Sequence, residues 1–530
     1  MKYNMVEQKK CFEVLVVGYG LLGNVAALLL AQQGLSVAVV ERKKNDDLLL
    51  SKSARLDEEV LLILEQLGVL PALQKQLYPL ESTQIIDKKG RVLFQLRQAP
   101  RSNHAPWAGF YQPHIQSILQ QKASAHPLIT VFNEHQVETL VQEEEKVEVF
   151  IRPVKRQVYR ALKANFVLVC NGQGSKVKEL LQLGEVDYKY RSSILCVDTL
   201  REKSKEQTAA PTHAQTIYDA AFPVTRITNN EQYQRWEFQI EQAYLQAEQT
   251  PQKIRTLLEE LGMGEASVAA AFIYHFDTKI LRQWQKGRVL IAGDAAHVIP
   301  PYLGMGLSEG IKDVYNLAWK LKAIVEHKAS LSLLESYQQE RQPHIQRLIG
   351  LNMWVKRLFQ SSRLRWIKNL VPVLPKTILQ KKLDAGSQIY QGIISSGKAP
   401  SIGRMALSPK VTTQKGKIKP LNLVLESSFV LMALGENPVD ALRPNQVAYA
   451  AALGMQFIQI TSQKQPFALD RRHAQQIHDR TGALQYWLKK QRARYLILRP
   501  DRVVYACCKN KKQLNGFVQE LSQHLPLYFH

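Results

Sequence analysis

Residues 12–41 read FEVLVVGYGLLGNVAALLLAQQGLSVAVVE. The segment divides into an apolar strand, a glycine turn, an alanine- and leucine-rich helix, a breaker at Gly34 and a second strand ending in Glu41. Such a βαβ unit makes this part of the chain α/β and constrains whatever packs on it. Gly18, Gly20 and Gly23 carry the G-x-G-x-x-G spacing, with Leu22 inside the turn. The first glycine permits the tight turn, the second lets backbone approach a diphosphate, and the third lets helix pack on strand. A dinucleotide's diphosphate then lies at the helix N-terminus, where unpaired N–H groups and the helix dipole favour negative charge. Glu41, followed by Arg42, stands where a carboxylate can accept from an adenosine ribose.

A second loop bears on which dinucleotide this is. From residue 287 the chain reads GRVLIAGDAAHVIPPYLGMGLSEG. Residues 288–292 read as a short apolar strand, and Asp294 follows the turn glycine Gly293, where it can accept from sugar or ribityl hydroxyls. Pro300 and Pro301 stiffen the connection. Beyond Gly304, Met305 and Gly306 a helix is expected, with Leu307, Ile311, Val314, Ala318 and Leu321 on one face. Its fixed N-terminus suits the pyrimidine end of a flavin, which gains negative charge on reduction. A nicotinamide dinucleotide needs no such distant anchor, whereas FAD has ribityl and flavin ends to be held. FAD is therefore the expected cofactor, and His297 reads as a structural histidine.

Over nearly its whole length the chain resembles the class A FAD-dependent aromatic hydroxylases, flavoprotein monooxygenases, and within them the 3-(3-hydroxyphenyl)propionate hydroxylase-like group. Beside the two motifs above, VYNLAWKL at 314–321, SYQQERQPH at 336–344 and RWEF at 235–238 carry the likeness. Tyr111, Gln112 and Pro113 resemble the family's Gln-Pro step, whose glutamine lies near the flavin. The resemblance implies that NADH or NADPH reduces FAD, that O2 then forms a flavin C4a-hydroperoxide, and that a phenolic or related aromatic substrate is hydroxylated. No second G-x-G-x-x-G is present for the nicotinamide, so NADH and NADPH both stay open. No catalytic base stands out: Tyr218, Asp219, His114 and Arg235 are candidates by position, and each reads first as structural.

Five positions depart from the family's pattern. Its second motif, Asp-Gly followed by Ser and Arg, appears as FVLVCNGQGSKVK, where Gly172 and Ser175 remain but Asn171 replaces the acid and Lys178 the arginine. Lys52, in SKSARL, stands where an arginine beside the flavin is usual, Met305 where glutamine is usual and Ser308 where asparagine is usual. Asparagine cannot make an acid's charge-assisted bonds, and lysine lacks the guanidinium's planar fork. FAD binding is expected to survive, while flavin orientation and the handling of the nicotinamide donor are at stake.

A chain of 530 residues, 45% hydrophobic, has room for two or three domains with full cores. The expected division is a discontinuous Rossmann-like FAD-binding domain (1–75, 106–180 and 281–345), interleaved with a mixed-sheet domain (76–105 and 181–280) that roofs the flavin and covers the substrate. A basic helical or linker segment (346–420) follows, then a C-terminal domain (421–530) whose βαβ…ββα order and RPDRVVY resemble the thioredoxin-like domain of the phenol hydroxylase branch. That domain lacks C-x-x-C, which points to a structural or dimer-forming role. The five cysteines form no pair or Cys/His cluster at zinc spacing, so no metal site is expected and the thiols read as reduced and mostly buried. With neither a signal-peptide pattern nor a long uninterrupted apolar run, a cytoplasmic location is expected.

Of the net charge of +24, the stretch 341–420 carries +15, from sixteen basic residues against Asp384. A solvated basic face explains this most simply, and a peripheral contact with an anionic surface is the sharper reading. Nucleic acid is not expected, because no recognised binding module accompanies the charge. Two other functions stay open: a divergent oxidase, reductase or epoxidase acting on a larger or membrane-derived substrate, and a non-catalytic FAD-fold protein that binds an anionic partner.

Overall fold

A computed structural model describes residues 5–44, 53–87, 89–97, 101–156, 158–201, 212–217, 223–240, 251–260, 266–360, 388–461 and 474–527. Lys52, Tyr218, Asp219 and the central part of the basic stretch, 361–387, lie outside the described residues.

Five strands form a parallel sheet in the spatial order Val289–Ile291, Tyr159–Val169, Met5–Val17, Val37–Val40, Ile129–Phe132. The runs VLVV, VAVV and FVLV are continuous rather than alternating because both faces of these strands are buried. Helix Leu21–Gln32 covers the sheet and packs on helix Gly306–Val325, which brings the two sequence motifs together. An antiparallel hairpin, His135–Gln142 and Val147–Pro153, extends from Tyr159–Val169.

A second sheet runs in the order Val268–Leu281, Glu185–Leu200, Tyr233–Ile240, Val224–Thr228, His213–Ile217, Ser82–Ile86, Val92–Arg97. Two distant parts of the chain meet in it where His213–Ile217 pairs in parallel with Ser82–Ile86. Alternation sorts its side chains. Leu195, Val197, Trp236 and Phe238 form a cluster with Leu257 and Leu258 of helix Pro251–Glu259. Ile194, Cys196, Tyr190 and Phe276 pack instead with Val298 and Tyr302 of the glycine-rich loop. The sheet therefore roofs that loop. One segment expected in the roof belongs elsewhere: Leu77–Leu80 pairs with Trp107–Phe110, which also pairs with Arg55–Asp57, in a separate three-stranded sheet. Pro79 has no N–H to donate, which suits this edge position.

In the C-terminal part, Val430–Leu434 and Gln456–Thr461 pair in parallel with helix Pro444–Leu453 between them. Tyr495–Leu498 and Val504–Cys508 add antiparallel strands, and helix Lys511–His524 closes the unit, so the expected βαβ…ββα order is the observed one. Cys507 and Cys508 are buried and unpaired, and burial raises both thiols, that of Cys507 to about 11. A fully buried cluster docks this unit on the first: Glu340 accepts from Lys320 and Arg499, and Arg499 also donates to Asp501. No helix among the described residues is long and apolar enough to cross a membrane.

Candidate flavin site

The first glycine turn is built to close tolerances. Gly18 has φ +105°, and a Cβ there would lie 2.9 Å from the Cα of Asn171. A Cβ on Gly23 would lie 2.0 Å from the carbonyl oxygen of Gly18. At Gly20 the corresponding direction is open, and no side chain caps helix Leu21–Gln32, which has no acid in its first turn. An open approach to uncapped N–H groups is the cradle a diphosphate needs. The Glu41 carboxylate accepts from the backbone N–H of Tyr19 at 2.7 Å and of Lys43 at 2.8 Å, which fixes it beside the turn with lone pairs left for a ribose. Arg42 next to it is exposed.

Leu22 ties this turn to the second loop, since a Cβ on Gly293 would lie 2.3 Å from its Cδ2. Asp294 follows, half-buried, and its Oδ2 accepts from the Tyr274 hydroxyl at 3.4 Å. Gln173, from the second motif, donates to that hydroxyl at 2.9 Å. Asn171 lies against Gly18, and Gly172 has φ +81° with open space beside it. Lys178 reaches Glu185 at 2.7 Å and the Gln173 carbonyl at 3.3 Å, so it braces its own loop. A cavity of about 250 Å³ borders Asp294, Gln173 and Lys178.

Pro301 opens the short 3-10 turn Pro301–Leu303, Gly304 (φ +60°) ends it, and helix Gly306–Val325 starts without a side-chain cap. A Cβ on Gly306 would lie 3.9 Å from Asp294 Oδ1, so carboxylate and helix start face the same space. Gly304, Gly306 and Leu307 are half-buried, whereas the Met305 side chain belongs to the hydrophobic core. Ser308 is also fully buried, and its Oγ accepts from the N–H of Asp57 at 3.3 Å. At these two departures from the family pattern the side chains are thus engaged in packing. The Gln112 amide is engaged too, accepting from Ser53 N at 2.9 Å and donating to Gln116.

A buried charge network supports the helix start from behind. Lys312 donates to Asp57 (2.8 Å) and Glu309 (3.2 Å), and Arg341 donates to Glu309 (2.6 Å) and Asp313 (2.7 Å). His344 donates to Glu309 and His297 to Asp313, at 2.7 and 2.6 Å. Burial alone would raise the Glu309 carboxyl, but the charges of His344, Lys312 and Arg341 outweigh it and hold it well below the usual range. His297 is buried, packed on Trp284 and bonded to Asp313. Two base candidates have structural partners as well. His114 contacts Gln76 at 2.8 Å and the rings of Tyr111 and Tyr233, and Arg235 binds Asp198 through bonds of 2.6 and 2.8 Å with no exposure.

The sequence motifs gave no hint of the roof's own contribution. Tyr190 and Tyr302 join hydroxyl to hydroxyl across the gap, beside Phe276, Tyr274 and Phe272. Arg55 and Glu237 lie at this level too, and burial raises the Glu237 carboxyl. Aromatic residues at alternate strand positions, as in FIYHF, were the available signal, but alternation does not say which face meets the loop.

The family model described as FAD binding domain matches residues 11–351. The chain belongs to this FAD-binding family. The model described as HcaD C-terminal domain matches residues 403–524 of the same FAD-binding chain. Curated relatives include the 3-(3-hydroxy-phenyl)propionate/3-hydroxycinnamic acid hydroxylases of Shigella sonnei and Escherichia coli, each 25% identical over 93% of this chain and 91% of its own length. Among solved structures, the flavin-dependent monooxygenase PieE in complex with FAD and substrate aligns with a TM-score of 0.79 at 15% identity, over 98% of this chain and 99% of its own. Aklavinone-11 hydroxylase with FAD and aklavinone aligns at 0.74 and 19%, over 97% and 99%. These alignments establish the fold over the full FAD-binding chain, including the interleaved roof.

Proposed function

We propose that the protein is an FAD-dependent, NAD(P)H-consuming monooxygenase that hydroxylates a phenolic or related aromatic substrate. The observation that carries this reading is the meeting of the roof's aromatic face with the glycine-rich loop at Tyr190 and Tyr302. Tyr190, Phe276, Tyr274 and Tyr302 form a cluster of aromatic rings beside that loop, the kind of surface that favours edge and face contacts with another ring. The relatives named as hydroxylases of hydroxyphenyl acids favour the same class.

FAD would be held by Gly18, Gly20, Leu22, Gly23, Glu41 and Arg42 at the adenosine end and by Gly172 and Asp294 along its middle. Gln112, Pro301, Gly304, Met305, Gly306 and Leu307 would surround the flavin ring; Lys52, also expected there, lies outside the described residues. Bound FAD supplies the oxygen-transfer chemistry, with NADH or NADPH as the source of electrons and O2 as the source of the oxygen atom. The protein's part is to orient and enclose. Asp294 would accept from hydroxyls along the cofactor chain, the start of helix Gly306–Val325 would favour negative charge at the ring, and the Tyr190–Tyr302 contact joins roof to loop beside it.

Purified protein should be yellow and should oxidise NADH or NADPH faster when one phenolic compound from a panel is added, with an oxygenated product seen by mass spectrometry. Flavin reduction without any oxygenated product across that panel would overturn the reading. A homodimer, and contact with anionic surfaces through 341–420, are separate proposals, tested by light scattering and by sedimentation with anionic vesicles.

A further inference from the structure

Arg55 is a buried cation that nothing in the proposed flavin set requires. It opens the strand Arg55–Asp57 and is 4% exposed. Its guanidinium lies directly over the glycine-rich loop: a Cβ on Gly304 would be 2.2 Å from Nη2 and 2.7 Å from Nε. Nη1 donates to Thr83 Oγ1 of the roofing sheet at 2.9 Å, so the group spans the gap between floor and roof. The Trp107 ring lies under it, with Cζ 5.9 Å from the ring centre.

What sets Arg55 apart is an unmet donor combined with the lack of an ion pair: Arg502 is as buried and also forms none among the described residues, but its Nε, Nη1 and Nη2 each donate to an oxygen. Arg235, Arg341 and Arg499 are as deeply buried, and each has at least one carboxylate within 3 Å. Arg55 forms no ion pair among the described residues, and its Nε is buried with no acceptor. Glu237 acts on it only at longer range, and the Glu237 carboxylate is turned to Arg235, 3.7 Å away. Burial accordingly pulls the guanidinium below its ordinary range. A desolvated guanidinium without an anion is strongly unfavourable, and its planar fork is suited to bidentate oxygen acceptors. Such a group at the junction of cofactor loop and substrate roof is best explained by an anion that arrives with the ligand.

We propose that Arg55 selects the substrate by binding an oxyanion, a carboxylate or a phenolate, carried by an aromatic substrate that docks where the roofing sheet meets the Gly304 loop. This rests on the hydroxylase reading for the identity of the site and adds the charge its substrate must carry. Gly304 contributes by leaving room for the guanidinium, which any side chain there would displace.

The test is equilibrium binding to the FAD-loaded full chain, followed by flavin absorbance and independent of turnover. Benzoate presents a carboxylate alone, 4-nitrophenol presents a phenolate whose ionisation is visible in its own spectrum, and benzyl alcohol presents neither. Wild type should bind at least one of the two anions about tenfold or more tighter than benzyl alcohol, in line with a charge-assisted bond. Arg55→Met should remove that preference while keeping affinity for benzyl alcohol, and Arg55→Lys should keep part of it. Whichever anion loses affinity in Arg55→Met identifies the group that is read. Equal binding of all three probes by wild type, unchanged anion binding in Arg55→Met, or equal loss of the neutral probe would each overturn the assignment. Product formation is measured separately. A chain that binds anions through Arg55 but oxygenates nothing removes the hydroxylase reading alone, and a hydroxylase indifferent to Arg55→Met removes this one alone.

Discussion

Glu340 and Arg499, 159 residues apart in the chain, are joined by hydrogen bonds of 2.9 and 2.8 Å, and neither side chain has any exposure. Lys320 and Asn316 donate to the same carboxylate from helix Gly306–Val325, so one acid ties together that helix, the long helix Glu335–Gln360 and the C-terminal unit. Asp501 completes the cluster on Arg499.

Removing only the Glu340 charge leaves Lys320 and Arg499 buried with Asp501 as their remaining acid. Glu340→Gln is expected to cost about 3–5 kcal/mol of stability, the range for breaking one member of a buried pair. Urea unfolding read by tryptophan fluorescence measures it, and a cost below about 1 kcal/mol would mean the cluster relaxes or is hydrated.

The same acid sets part of the acid limit of the fold. Burial would raise its carboxyl, but Arg499 and Lys320 bring it down to about 2 from 4.5. The unfolded chain therefore binds more protons than the native one between these values, and stability falls as pH drops through this window. Above pH 4.5 this contribution is fully present. In Glu340→Gln the slope of unfolding free energy against pH between 4.5 and 2 should be shallower than in wild type, with other buried acids supplying the remainder.

Gly23→Ala places a methyl group 2.0 Å from the Gly18 carbonyl oxygen, and backbone must move to admit it. The purified variant should retain less than roughly a tenth of the wild-type flavin, given that the displaced turn supplies the anion-binding N–H groups. Flavin absorbance per mole of protein reports this directly, and full retention would refute the diphosphate placement.

Asp294→Ala removes the carboxylate that faces the start of helix Gly306–Val325. Loss of a charge-assisted hydrogen bond to a cofactor hydroxyl predicts FAD binding weaker by roughly 10- to 100-fold. Asp294→Asn, which keeps an acceptor, should lie between the two. Titration of deflavinated protein with FAD gives these constants, and equal affinity in all three would show that Asp294 only shapes the turn.

The backbone of the two candidate cofactor loops was legible because its constraints are local. The Gly18–Gly23 spacing, the terminal Glu41 and the Asp294-to-Gly306 loop each need particular residues at fixed separations, whatever surrounds them. The departures were legible as substitutions but not as structures. Met305 turns into the core, and Ser308 accepts from the N–H of Asp57, 251 residues away in the chain. LYPL read as roof because its composition suits any strand, and only its pairing with Trp107–Phe110 shows otherwise.

Sequence alone determined the βαβ unit, the turn that can accept a diphosphate and the α/β class, since backbone sterics and hydrophobic periodicity act over a few residues. Tertiary structure decided what stands over the loop. Arg55 lies three residues after Lys52, and only the closure of a seven-stranded roof onto Gly304 makes it a buried cation with no carboxylate in contact among the described residues. Burial and charge pairing are sums over neighbours brought from distant parts of the chain, so they become readable only once the fold has chosen those neighbours.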